Sequence, residues 1–374
     1  MTARAPERSV PLARRQLGAE RGKLVLAVIG VALSVALVGL LLGLRAGIAQ
    51  QVTRYEDQSG AQVYVGGAGA RDLMVTDSVV PASLAARIER LVPGTHAAPM
   101  TASLEMLTLH GRKTATLVIG FEPGRLGGPW HIHDGRRPAG LGEIAVDRVL
   151  AREHGIALGD RFAVRGQPLR VVGITDKTSA WMTPLLFTTR SEANALSDRG
   201  DVASYIVVRG PASPSALAAR LRTRLPGLAV LTREQVAAND RELMTSAFNA
   251  LLLVMVLVGL GVGAFVIGLS VYGFVTERRR EFGMLKAIGG SSRRLYRLVT
   301  TQALAIAAAG VGAGLLVQRA AASAMTALDP KYLFVFKPAH VAVILVAAIA
   351  MALAGAWAPA RIVARLDPAE VFRR

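Results

Sequence analysis

No cysteine occurs among the 374 residues. Disulfide bracing is therefore excluded, even for a segment placed where oxidation would permit it. Acidic side chains are few, 26 against 44 Lys and Arg, which gives a formal charge of +18. No phosphate-binding loop is present either. Gly22-Lys23 is followed by Leu24, and Gly18 stands too close to complete GxxxxGK[ST]. No Ser-His-Asp ordering and no paired carboxylates present themselves, so nothing in the sequence points to an enzyme.

What the chain has instead is apolar length. Hydrophobic residues make up 52% of it. Leu24–Leu44 is an uncharged run of 21 residues, and Ala250–Val275 is one of 26. A helix needs about 20 such residues to cross the hydrocarbon of a bilayer. Val299–Gln318 and Val341–Ala358 are richer in Ala and Gly but also lack ionisable groups. The first run exceeds the roughly 7–15 apolar residues of a secretory signal, and no clean cleavage site follows it, so it reads as an anchor that stays attached.

The positive charge is not spread as a nucleic-acid stripe. Residues 1–23 carry six basic side chains against two acidic, 276–297 carry seven against two, and the tail from Arg361 carries four against two. Thus +11 of the +18 lies beside apolar runs. Positive charge flanking spans marks the cytoplasmic side. The expected division is then a cytoplasmic segment 1–23, spans at 24–44, 246–275, 298–318 and 341–360, an extracytoplasmic domain 45–245, a cytoplasmic loop 276–297, an extracytoplasmic loop 319–340 and a cytoplasmic tail 361–374. The fold class is a membrane protein with four transmembrane α-helices and an α+β domain inserted between helices 1 and 2. Its N- and C-termini are cytoplasmic and its place is the cell membrane.

The inserted domain alternates in "AQVYV" (61–65) and "SYIVV" (204–208), as strands do. Each is followed by a similar stretch, "PASLAARIERLVPG" (81–94) and "PSALAARLRTRLPG" (214–227), which opens with Pro and stops at Pro-Gly. Pro suits a first helical turn, and Pro-Gly ends a helix. Strand-like segments at 95–100 and 228–231 complete two strand–helix–strand units, which suggests a pseudo-symmetric lobe. Between them, 104–121 and 161–174 each read as two strands joined at Gly111 or Gly166. His131 and His133 would share one face of an extended segment, a spacing seen in metal or haem ligation, but no third ligand accompanies them.

The loop "ERRREFGMLKAIGGSS" (277–292) is charged between two greasy runs. Phe282, Leu285 and Ile288 recur every three residues, as on one side of a helix. Gly289-Gly290 would end that helix, and Ser291 or Ser292 would cap the next. A short amphipathic helix of this kind either rests on anionic lipid or docks its apolar stripe on a partner. The residues alone leave both open.

The stretch "ERRREFGMLKAIGGSSRRLYRLVTTQAL" resembles the loop after the second span in ABC-transporter permeases of the MacB/FtsX type. The matching residues are Glu277, Arg278, Glu281, Phe282, Leu285, Lys286, Ala287, Ile288 and Gly289. The ending "DPAEVFR" (367–373), the stretch 142–174 and the layout of one span, a domain and three spans are similar too. The resemblance implies a permease dimer bound to two cytoplasmic ATPase subunits. The loop would be the coupling helix, with ATP and Mg bound by the partner and no cofactor in this chain. It implies export or extraction of a hydrophobic or amphiphilic compound; the alternative is a signalling regulator that moves no substrate.

Two further expectations follow from the resemblance. Glycine pairs permit close helix packing in lipid. Of Gly39/Gly43, Gly259/Gly263 and Gly310/Gly314, the first lies where the family's permeases meet. The stretch "TRYEDQSGAQVYV" (53–65) resembles the haem-exporting and DevC-like branches. Tyr55, Glu56 and Asp57 would then form a junction for substrate capture. Otherwise they are an anchoring tyrosine beside solvated acids.

Overall fold

The computed structural model describes residues 12–73, 78–109, 112–179, 183–288, 291–329 and 331–364. Along the chain α1 (Leu12–Val52) and α2 (Arg54–Gln58) lead into β1 (Val63–Gly66), β2 (Val80–Pro81), α3 (Leu84–Leu91), β3 (His96–Leu109) and β4 (Arg112–Phe121). Then come β5 (Ile132–Gly135), β6 (Glu143–Asp147), α4 (Arg148–His154), β7 (Arg161–Val164), β8 (Gln167–Thr175) and β9 (Leu185–Thr189). They are followed by α5 (Arg190–Leu196), β10 (Val202–Ala203), β11 (Tyr205–Arg209), α6 (Pro214–Arg224) and β12 (Ala229–Thr232). Four helices close the chain: α7 (Arg233–Glu277), α8 (Arg279–Ala287), α9 (Ser292–Leu328) and α10 (Pro338–Ala364). They fold as two compact units. One is built on the residues up to Ala46, Asn249–Leu328 and those from Phe334 on; the other on Gly47–Phe248 and Asp329–Leu333.

The helical unit carries the apolar runs. Gly22–Val52, Phe248–Glu277, Ser292–Leu328 and Pro338–Ile362 are each long and apolar enough to cross a bilayer. The helices outrun the hydropathy. The 45 residues of α7 extend about 67 Å at 1.5 Å each, against about 30 Å of hydrocarbon. The third span was expected over 298–318, yet α9 begins at Ser292 and continues to Leu328 through Arg319. A backbone already in helix adds one hydrogen bond per residue, so a solvated charge does not stop it; capping does.

Glycines let these helices close on one another. A Cβ at Gly310 would sit 2.4 Å from Val31 Cγ1, and one at Gly314 would sit 2.7 Å from Val35 Cγ1. At Gly355 it would lie 2.5 Å from the carbonyl oxygen of Ala264. In lipid there is no hydrophobic drive between helices, so such backbone approach carries the packing. Gly39 and Gly43 are used in the same way. Their added Cβ atoms would strike Gln318 Oε1 and Phe336 of the same chain. The face expected to meet a second permease is thus occupied within the chain.

The other unit is an α/β domain on a ten-stranded sheet, in the order β12-β1-β11-β3-β4-β9-β6-β8-β5, with β7 paired to β8. Its first four strands form an antiparallel set in which β1–α3–β3 and β11–α6–β12 interleave. Exchanging β1 with β11 and β3 with β12 reverses the order and leaves it unchanged. This is the ferredoxin-like split β-α-β arrangement, with β4 to β10 inserted between its halves, and it is the pseudo-symmetry the paired Pro…Pro-Gly stretches suggest. The period-2 pattern sorts the core. Val63, Val65, Ile206 and Val208 face α3 and α6, with Ile88, Leu217 and Leu221 against them. Tyr64, Met100, Tyr205 and Val207 face the other way. Beyond Met100, β3 turns from β11 to β4, pairing Thr101 with Gly120 and Leu109 with Arg112. The β3–β4 turn itself, with Gly111, lies outside the described residues. The β7–β8 turn is described: Arg165 and Gly166 both have positive φ, 49° and 82°, as a two-residue hairpin of matching twist requires.

Asp329–Leu333, expected as part of a free extracytoplasmic loop, belongs to this domain. Gln51 Nε2 donates to the Lys331 carbonyl at 3.1 Å, and the Lys331 ammonium pairs with Glu153. That pairing holds the Glu153 carboxyl below the usual carboxylate range.

Candidate coupling site between the second and third membrane helices

After α7 the chain makes a short separate helix, α8, before α9 begins. Its first turn is continuous in hydrogen bonding with the span before it. Arg278 N donates to Phe274 O at 3.2 Å, and Phe282 N donates to Arg278 O at 3.1 Å. At the far end Ile288 N donates to Met284 O at 3.1 Å. The Ser291 carbonyl then accepts from Arg294 N at 2.9 Å, which places Ser291 at the entry of α9 as the sequence suggests. The expected stop at Gly289-Gly290 lies outside the described residues.

The expected stripe Phe282–Leu285–Ile288 does not face one way. Phe282 is buried at 2% exposure, in the core that includes Val271, Val275, Leu295 and Val299. Its ring meets Phe274 at 6.1 Å and 69°, an edge-to-face geometry. Ile288 is 83% exposed and Met284 50% exposed. The side chains of Leu285 and Lys286 lie outside the described residues. A three-residue spacing cannot tell these roles apart, because α8 has a bundle on one side and solvent on the other. Phe282 is an anchor, and Met284, Ala287 and Ile288 are what the helix offers outward.

Charge surrounds this helix. Glu277 pairs with Lys23 at the start of the first span. Arg278 lies 4.8 Å above the Phe274 ring and 3.9 Å from Glu281. Arg279, Arg280 and Glu281 are exposed. Such exposed pairs add only about 0–1 kcal/mol each; the anchor is the phenylalanine.

Other expected residues fall elsewhere. Tyr55 and Glu56 are 2% and 1% exposed, so they face the core of the α/β domain and form no capture surface; only Asp57 is exposed. The Tyr55 hydroxyl donates to the Gly127 carbonyl at 2.9 Å, and burial pushes its ionisation upward. His131 and His133 are both exposed at β5, and among the described residues no third His, Cys or acidic group joins them. Sequence reasoning missed Asp240, fully buried on α7, which accepts from the Leu73 N–H at 3.2 Å. A signal was available: Asp240 stands four residues after the buried Val236, where the apolar stripe of a helix should continue.

A sheet domain inserted after the first of four membrane-crossing helices, with a short amphipathic helix between the second and third, defines a multi-pass membrane subunit. The comparisons give the family. The MacB-like periplasmic core domain matches residues 24–224, and the FtsX-like permease C-terminal domain matches 253–368. A Mycobacterium tuberculosis (H37Rv) protein named as an uncharacterized ABC transporter permease is 28% identical over 365 residues, covering 96% of this chain and 98% of that one. A second from that strain, similarly named, is 27% identical over 364 residues with the same coverage. Among solved structures, the extracellular domain of the noncanonic ABC-type transporter YknZ from Gram-positive bacteria covers 46% of this chain and 99% of its own, at 12% identity and a TM-score of 0.36. A superposition that loose leaves the domain to be defined by its own topology and the family matches. The chain belongs to the ABC transporter permeases with a MacB-like periplasmic core and an FtsX-like C-terminal domain.

Proposed function

We propose that this chain is the membrane subunit through which a separate cytoplasmic ATPase moves the inserted domain, for export or extraction of a hydrophobic or amphiphilic compound. The observation that carries the reading is α8: Phe282 holds one side of it to the bundle while Ile288, at 83% exposure, and Met284 are left outside. A helix so divided transmits force, because what seizes its outer side also displaces the anchored side. Basic clusters at 1–23, 276–297 and the tail from Arg361 put this end of the bundle in the cytoplasm. The inserted domain is then extracytoplasmic.

ATP and Mg belong to the partner in this reading, because the chain has no phosphate-binding loop. Two copies would meet two ATPases. The second span supports a pairing of copies: 17% of its apolar window is buried within the chain, against 50% for the first. Its outer face is left to lipid or to a second permease.

The test is purification of the chain alone and with its cognate ATPase. Alone it should hydrolyse no ATP; together the two should co-elute and hydrolyse. Robust hydrolysis by the isolated chain overturns the assignment, and so does an ATPase that never co-elutes.

A further inference from the structure

Where β3 begins and β11 finishes, the α/β domain holds a cavity of about 870 Å³. Small-molecule sites run to roughly 300–1,000 Å³. Glu89, residues 95–98, residues 124–126 and Arg209 line it, and all of them belong to this one domain. The coupling helix takes no part in it.

His96 and Arg209 stand opposite each other in the β3–β11 register. Directly opposed residues of an antiparallel pair have Cβ atoms about 4.5–5.5 Å apart on one face. Alternation fixes that face. Ala97 and Val208 belong to the core under α3 and α6, and Ala98 and Val207 to the core on the other side. His96 and Arg209 therefore project with the second pair, and both are exposed. Among the described residues neither side chain has a hydrogen-bond or ion-pair partner.

A third donor comes from the connection after β4. Gly124 has a φ of 78°, a left-handed conformation that glycine adopts without a steric cost. Arg125 N donates to Glu122 O at 3.0 Å in the same turn. The Arg125 side chain reaches the strand end, where its Nη1 donates to the Ala97 carbonyl at 2.7 Å and to Glu89 Oε1 at 3.4 Å. Glu89 Oε1 also accepts from the Ala97 N–H at 2.9 Å. The acid lining the cavity is thus committed, and its charge is matched by that of Arg125. Arg209 is left as positive charge without a match, beside a histidine.

We propose that this cavity binds a phosphate group, carried by a small molecule or by a lipid head. Two arginines against one glutamate leave the lining with a formal charge of +1, so the ligand is an anion. A carboxylate has two oxygens in one plane, and a single guanidinium fork serves it. A phosphate spreads its oxygens around a tetrahedron and takes donors from several directions. Arg209 and His96 come from the strand pair and Arg125 from the loop, which suits the second geometry.

The experiment uses the full-length chain in neutral detergent and phosphate-free buffer. Calorimetric titrations with sn-glycerol 3-phosphate, dihexanoylphosphatidic acid and hexanoate compare the head groups. Wild type should bind one or both phosphate compounds, and hexanoate at least about tenfold more weakly. Arg209→Gln removes a charged donor and should weaken phosphate binding about ten- to hundredfold. Arg220→Gln, at an exposed cation of α6 that does not line the cavity, should bind as wild type does, which separates a site from net charge. Tighter binding of dihexanoylphosphatidic acid than of glycerol 3-phosphate assigns a lipid head, and the reverse assigns a free phosphate ester. Equal affinity for the two leaves the phosphate itself as what is recognised. Binding of neither, or hexanoate bound as tightly, overturns the site. So does an Arg209→Gln protein that binds as wild type does, or an equal loss in Arg220→Gln. Should Arg209→Gln fail to fold, His96→Ala decides: it should weaken phosphate binding severalfold, and an unchanged affinity refutes the proposal.

Discussion

Ile288→Asp tests whether α8 docks on an ATPase or lies on lipid. Ile288 is 83% exposed in this chain, with its helix held from the other side by Phe282 at 2% exposure. Within the permease alone, an exposed substitution costs no more than about 0.5 kcal/mol. At a docking surface the same change replaces a side chain whose burial contributes roughly 1.5–3 kcal/mol and leaves an unpaired charge costing at least ~3 kcal/mol. Either bound alone gives a tenfold or larger loss, and together they exceed a hundredfold in affinity. Phe282→Ala is the contrast. It removes an anchor at about 3–5 kcal/mol and should lower the thermal midpoint of the bundle. Arg279→Ala with Arg280→Ala should change ATPase binding by a factor of a few, since exposed charges contribute ~0–1 kcal/mol. If α8 instead rests on anionic lipid, that order inverts. The arginines would then matter at about 1 kcal/mol each near the surface, and only with anionic lipid at low salt. The assay is ATPase pull-down by each variant in neutral detergent, repeated in anionic nanodiscs, with thermal midpoints alongside. Full ATPase retention by Ile288→Asp would refute the docking surface.

Two predictions concern the bundle. With no native cysteine, single labels are unambiguous: Ala68→Cys and Ser292→Cys, both exposed, should react with an impermeant reagent from opposite sides of intact cells, and labelling of both from outside refutes the orientation. Gly314→Val should lower the thermal midpoint, because its Cβ would lie 2.7 Å from Val35 Cγ1 and 2.8 Å from the Ala32 carbonyl oxygen, an overpacking of about 1–3 kcal/mol. Gly312→Ala, with nothing within 4 Å, should be neutral or slightly stabilising; a Gly314→Val protein as stable as wild type would refute the packing account.

Legibility followed the range of the interaction. The Ser213 cap of α6, accepting from Ala216 N, was not read, whereas the Pro at the first turn of that helix is local and was readable. So was the β7–β8 turn at Arg165-Gly166, since twist and φ are set by neighbours in sequence. Helix ends were less readable, because α7 and α9 run beyond their apolar runs on backbone hydrogen bonds that hydropathy does not register. The roles of Phe282 and Ile288 were not readable at all. Six residues apart on one three-residue spacing, they differ in what the bundle places beside them.

The sequence by itself determined the membrane class, the four apolar helices, the inserted domain of mixed strands and helices, expected as α+β, and the helix between the second and third spans. These rest on composition and periodicity, which act over a few turns or along a single run. Tertiary structure alone decided which glycine meets which helix, so that Gly39 and Gly43 lie against Gln318 and Phe336. It also decided that Asp329–Leu333 folds with the α/β domain. Only the fold brings the Leu73 N–H to the carboxylate of Asp240, 167 positions later in the chain. An acid in a sequence reads as solvated; that Glu56 and Asp240 are buried, at 1% and 0% exposure, depends on the elements packed around them, which no neighbour in the chain encodes.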